Sequence, residues 1–182
     1  MSDEDWLVYQ KFVEGDVQSF RRLFEKFKNP LFRLCHRFVR NHEAAEDIAQ
    51  DVLIKIYEKR AKFDPRSKFS TWVYRVAANA SLDYLRRKKF SAFSLDAPEA
   101  PDAEDPASLS HDLQKRELEA LVGREVQNLP ERLKAPIILF QFEEKSYQEI
   151  AAILQISVKA VERRIYHAKE MLRRGLADAL KD

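Results

Sequence analysis

The chain has 182 residues, 45% of them apolar and only 3 glycines, enough for one sizeable core or two small ones in a mostly helical protein. No apolar run reaches membrane-spanning length, the acidic start Met1-Ser2-Asp3-Glu4-Asp5-Trp6 is unlike a signal peptide, and the single Cys35 suits a reducing compartment, so a cytoplasmic protein is expected. The net charge of +2 hides an asymmetry. Residues 1–90 carry 19 Lys and Arg against 13 Asp and Glu, residues 91–112 none against 6, and residues 113–182 carry 13 against 11. A basic block of this kind points to a polyanionic partner.

In chain order, Asp5 to Val13 forms a short helix that Gly15-Asp16 breaks and recaps. Phe20, Leu23, Phe24 and Phe27 then mark one helical stripe, and Leu31, Leu34, Cys35 and Phe38 mark another. Pro30 between them either opens a new helix capped by Asn29 or kinks a continuous one. Cys35 and His36 have no second Cys or His cluster at ligand spacing, so they read as a buried thiol and a surface imidazole, and no metal is expected. The next helix buries Ala45, Ile48, Ala49, Val52, Leu53, Ile56 and Tyr57 and turns Glu43, Glu46, Asp47, Gln50 and Asp51 outward. Those acids either compensate the helix dipole or form a docking patch for a basic protein.

Residues 63–69, Phe63-Asp64-Pro65-Arg66-Ser67-Lys68-Phe69, read as a loop, with Ser70 capping a helix that carries Trp72, Val73, Val76, Ala77 and Ala80 inward. Arg75, Asn79, Asp83 and Arg86 share another face of that helix. Aromatic rings, an amide and cations around one loop suit single-stranded DNA, because an unstacked base lies on an aromatic or Arg plane while an amide reads its edge. Arg86, Arg87, Lys88 and Lys89 add phosphate contacts. The alternative is a core Trp72, a solvated Asn79 and a basic helix end that balances the dipole. Residues 91–112, with three prolines and many acids, form a flexible linker between two domains, 1–90 and 113–182, giving an all-α protein.

The second domain opens with a helix bearing Leu113, Leu118, Leu121, Val122 and Val126, followed by one with Leu129, Leu133, Ile137 and Phe140 that Pro136 is expected to bend. Ser146 to Leu172 then reads as a helix-turn-helix. Ile150, Ala151, Ile153 and Leu154 mark a short helix, Gln155-Ile156-Ser157 a sharp turn, and Val161, Ile165, Ala168 and Leu172 the stripe of a second helix capped by Ser157. Outward from that stripe stand Lys159, Glu162, Arg163, Tyr166, His167 and Lys169, a set suited to the major groove. No Gly-rich phosphate loop, paired metal-ligand motif or nucleophile with an evident base marks an enzyme, and no cofactor is expected. A self-standing helix-turn-helix repressor or activator is the alternative, although no heptad seam supports the dimer it would need.

Four stretches in fixed order carry a resemblance: A-E-D-I-A-Q-D-V-L-I-K-I-Y, F-S-T-W-V-Y-R-V-A-A-N-A-S-L-D-Y-L-R-R, L-P-E-R-L-K-A-P-I-I-L and S-Y-Q-E-I-A-A-I-L-Q-I-S-V-K-A-V-E-R-R-I-Y-H-A-K. Together the chain resembles bacterial sigma factors of the extracytoplasmic-function type. The resemblance implies that Glu46, Asp47, Gln50 and Asp51 contact core RNA polymerase. It implies minus-10 contacts from Phe63, Lys68, Phe69, Arg75, Asn79, Asp83, Arg86 and Arg87, and minus-35 contacts from Ser157, Lys159, Ala160, Glu162, Arg163, Tyr166, His167 and Lys169. It further implies a stress-response transcription factor held by an anti-sigma factor, at the inner membrane where that partner is membrane-bound. The chain departs from the family at Gln155, where Gly is common, at Lys159-Ala160, where Gly-Thr is common, and at Glu162 and His167, where basic residues are common.

Overall fold

The computed structural model describes residues 3–58, 68–92 and 113–180, and these are helical apart from short turns. The described elements are α1 (Asp3–Val13), α2 (Val17–Val39), α3 (His42–Glu58), α4 (Phe69–Ala92), α5 (Leu113–Asn128), α6 (Glu131–Gln141), α7 (Tyr147–Leu154) and α8 (Val158–Ala179). They divide between two compact units, residues 1–99 and 100–182. The expected linker lies outside the described residues except for Ser91 and Ala92, which extend α4 beyond the boundary expected at residue 90.

In the first unit α2 is the hub, packed against α1, α3 and α4. Its start is the one expected. Gly15 takes φ +105, a conformation open to a residue without Cβ, and the Asp16 carboxylate then accepts from Gln18 N at 3.0 Å and from Ser19 Oγ at 2.6 Å. The Ser19 hydroxyl holds the Asp16 carboxyl below its ordinary value. Pro30 lies inside one continuous 23-residue helix, so the second of the two sequence readings holds. What it loses is the N–H that would have reached the Lys26 carbonyl. Leu31, Leu34, Cys35 and Phe38 are almost wholly buried, each large side chain contributing roughly 1.5–3 kcal/mol. Burial pushes the Cys35 thiol up to about 11, with the nearby Ser81 hydroxyl opposing.

Arg40, at φ 52, ends α2 by donating its N–H to the His36 carbonyl, and Asn41 Oδ1 accepts from Ala44 N at 2.8 Å to start α3. α4 differs from expectation at its start. The helix begins at Phe69, with Trp72 N donating to Lys68 O, so Ser70 stands inside the first turn and does not cap it. Its buried face is also rotated. Val73 and Ala77 are buried as expected, but Tyr74, Ala78 and Ser81 join them, while Val76 and Ala80 are half-buried.

In the second unit α8 packs against α5, α6 and α7. Gly175 lies where α8 meets α5, and the Glu125 carboxylate occupies the space that a Cβ there would take. Pro136 lies within α6, and Leu118, expected to point inward, is half exposed. Lys134 is buried, yet its Nζ donates to Gln127 O at 2.9 Å and to Gln127 Oε1 at 3.3 Å, satisfying a carbonyl in the last turn of α5. Burial lowers the affinity of this amine for its proton, with Glu131 opposing.

Candidate nucleic-acid and protein interfaces

The helix-turn-helix is built from caps. Ser146 and Glu149 form a reciprocal capping box, Ser146 N donating to Glu149 Oε2 at 3.0 Å and Glu149 N to Ser146 Oγ at 3.3 Å, which fixes where α7 begins. α7 ends after eight residues because Gln155 turns left-handed at φ 55 and donates its N–H to Ala151 O, while Ile156 N reaches the same carbonyl at 3.1 Å. Ser157 then caps α8, its hydroxyl accepting from Ala160 N at 3.2 Å. Val161, Ile165 and Ala168 are fully buried, so the opposite side of α8 is turned out as a rigid face.

Along that face Ser157, Lys159, Glu162, Arg163, Tyr166, His167 and Lys169 are exposed and Ala160 is half-buried. Ser157, Lys159, Ala160, Glu162, Arg163 and Tyr166 line one shallow concavity at the helix start. Two expected contacts are otherwise engaged. The Ser157 hydroxyl serves as the cap, and Lys169 Nζ lies 4.6 Å from the centre of the Phe140 ring. Tyr166 is 62% exposed with its ring 5.7 Å from that of His167, so the two form one projecting aromatic pair.

On α3 the structure brings Glu46, Asp47, Gln50 and Asp51 together on an exposed face, with His42 Nε2 at 3.4 Å from Glu46 Oε1. The sequence reading missed Ile54. It is 54% exposed and continues the row Asp47, Gln50, Asp51, so the carboxylates border an apolar group. The available signal was its position four residues after Gln50, on the polar face. Tyr57, expected inward, is 42% exposed, with its ring 4.9 Å from Phe20 and 5.5 Å from Phe12.

The third surface is α4. Asn79, Asp83, Arg86 and Arg87 are exposed, with Arg86 Nη1 at 3.0 Å from Asp83 Oδ1, and Arg75 is half-buried behind them. Lys68 is exposed, and Phe63 lies outside the described residues. Phe69 corrects the expectation. It is only 4% exposed, with its ring 4.9 Å from Tyr9, 5.6 Å from Phe27 and 5.8 Å from Trp72, so it is core and offers no face to a base. Trp72, half-buried against Tyr9 at 6.3 Å, belongs to the same cluster. Among the described residues no group of His, Cys, Asp and Glu is placed to hold a metal, and no helix is long and apolar enough to cross a membrane.

Comparison with known proteins gives these surfaces a family. Residues 23–91 match the model of Sigma-70 region 2, and residues 119–172 match that of Sigma-70, region 4. The RNA polymerase sigma-H factor of Pseudomonas aeruginosa is 31% identical over 99% of this chain and 97% of its own length. The ECF RNA polymerase sigma factor SigW of Bacillus subtilis is 33% identical over 91% of this chain and 92% of its own. Two solved structures share the fold. One is CnrH in complex with the cytosolic domain of CnrY, with TM-score 0.73 and 24% identity over 96% of this chain and 97% of that one. The other is the sigma factor RpoE in complex with the anti-sigma factor NepR from Bartonella quintana, with TM-score 0.71 and 23% identity over 88% of this chain and 98% of that one. The chain belongs to the extracytoplasmic-function family of RNA polymerase sigma factors.

Proposed function

We propose that this sigma factor docks on core RNA polymerase through the carboxylate face of α3. It reads the minus-10 element with α4 and the loop before it, and the minus-35 element with α8. The observation that carries the reading is the division of α3: Glu46, Asp47, Gln50 and Asp51 all face solvent while Ala45, Ile48, Ala49, Val52 and Ile56 are buried. Four polar groups on one rigid face, three of them carboxylates, suit a basic protein surface better than they suit DNA. The roles then separate by charge, with polymerase on the acidic helix and DNA on the cationic faces of α4 and α8.

Lys68, Asn79 and Arg87 serve the minus-10 strand, with Asp83 and Arg86 acting as an ion-paired unit beside them. Lys159, Glu162, Arg163, Tyr166 and His167 serve the minus-35 duplex, where Glu162 accepts from a cytosine amino group and His167 contacts a guanine or a phosphate. Strand opening draws on binding energy to the unpaired strand, and the polymerase performs the chemistry. An anti-sigma factor that covers the polymerase- and DNA-binding faces completes the reading; the structure of RpoE from Bartonella quintana is a complex with the anti-sigma factor NepR. A membrane-bound partner of this kind would hold the protein at the inner membrane.

The test is selection from random duplexes. Holoenzyme assembled from this chain and core polymerase should enrich a promoter with two separated elements, and the chain alone should enrich none. Enrichment of a palindrome by the chain alone would contradict the proposal and favour a dimeric repressor.

A further inference from the structure

Phe90 is the most exposed large apolar side chain among the described residues, at 79%, and nothing in the core accounts for it. Its position on α4 is specific. Asn79, Asp83, Arg86 and Phe90 recur at i, i+4, i+7 and i+11, so the ring stands on the same narrow face as the polar groups already assigned to the minus-10 element. It lies about 16 Å beyond Asn79 along the helix axis, away from the loop that precedes α4. Exposed Arg86, Arg87 and Lys89 stand beside it, so among the described side chains Phe90 is an apolar group set in a cationic surface.

The geometry points to Phe90 as a duplex-reading residue that contacts the C5-methyl group of a thymine, on the side of the minus-10 element remote from the loop. The cations fix the class of partner, since a run of positive charge around the ring suits a phosphate backbone and repels a basic protein surface. The helix geometry fixes the kind of contact. A straight helical face laid on duplex meets the edges of base pairs and not their stacked faces, and the apolar group that the major groove displays is the thymine methyl. This assignment rests on the proposal that α4 lies along the minus-10 region, and it adds a base position beyond those read by Asn79 and its neighbours.

The experiment uses holoenzyme of the full chain with core polymerase on promoters enriched from random duplexes, for wild type, Phe90→Ala and Asn79→Ala. Wild type should enrich a thymine flanking the minus-10 element, and replacing that thymine by deoxyuridine, which removes only the methyl group, should weaken binding about fourfold. Phe90→Ala should lose the enrichment at that position and ignore the deoxyuridine change, while selecting the same minus-10 and minus-35 elements. Phe90→Leu should retain part of the preference. The inference is overturned if Phe90→Ala enriches the same thymine, if no deoxyuridine substitution discriminates the two proteins, or if Phe90→Ala weakens core polymerase binding without DNA, which would make the ring a protein contact. If Asn79→Ala leaves the minus-10 selection unchanged, the placement of α4 on that element fails, and the assignment of Phe90 falls with it by a separate result.

Discussion

Gln155 holds the left-handed backbone that ends α7, at φ 55, a conformation that suits glycine. An L-residue there costs roughly 1–2 kcal/mol in backbone strain, and glycine returns part of this through the entropy of its unfolded chain. Gln155→Gly should therefore stabilise the second unit by up to about 1 kcal/mol, seen as a higher midpoint in thermal or urea unfolding. An unchanged or lower midpoint would mean that the Gln155 side chain offsets the strain. Glu162 is exposed on the outward face of α8 proposed to enter the major groove. Glu162→Ala should change which bases are enriched at one minus-35 position more than it changes overall affinity, and a uniform loss over all promoter variants would count against a reading role. Single residues were legible in sequence where chemistry is local. Asp16 and Ser157 were identified as caps because a cap depends on its neighbours within three residues. Phe69 was misread because its burial depends on Tyr9 and Phe27, distant in sequence, and no local pattern reports that contact.

At the scale of elements, helix starts decide where the reading faces point. Ser157 sets the first turn of α8, so Ser157→Ala should cost about 1 kcal/mol of stability in the second unit and loosen minus-35 discrimination, while minus-10 selection stays intact. Loss of discrimination at both elements would show a global effect instead. The apolar stripes of α2, α3 and α8 were legible because each helix buries a face whose spacing shows directly in the residue order. α4 was read less well. Packing against α1, α2 and α3, all distant in sequence, decides its buried face, which takes in Tyr74, Ala78 and Ser81 and leaves Val76 half-buried. Pro30 allowed two readings, and the packing of α2 against three partners keeps the helix continuous through the lost hydrogen bond.

Across the whole molecule, the proposed division of labour follows charge. The acidic face of α3 and the cationic faces of α4 and α8 sit on helices whose other sides are core, so their polar residues are turned outward without strain. The cationic part of that division was visible in the sequence as a basic first block and a helix-turn-helix, because charge asymmetry and helical period survive without tertiary knowledge, whereas the acids of α3 read equally well as compensation of the helix dipole. Ile54 and Phe90 were not, since the exposure of an apolar side chain depends on what fails to cover it. On the proposed reading, polymerase binding rests on the α3 face. Size-exclusion chromatography of the chain with core RNA polymerase lacking its own sigma subunit tests it most directly, with Asp47→Lys/Asp51→Lys as the comparison. Wild type should co-elute with the polymerase, and the charge-reversed variant, equally folded by circular dichroism, should elute apart. Co-elution of both would contradict docking through α3, and failure of folded wild type to co-elute would contradict polymerase binding itself.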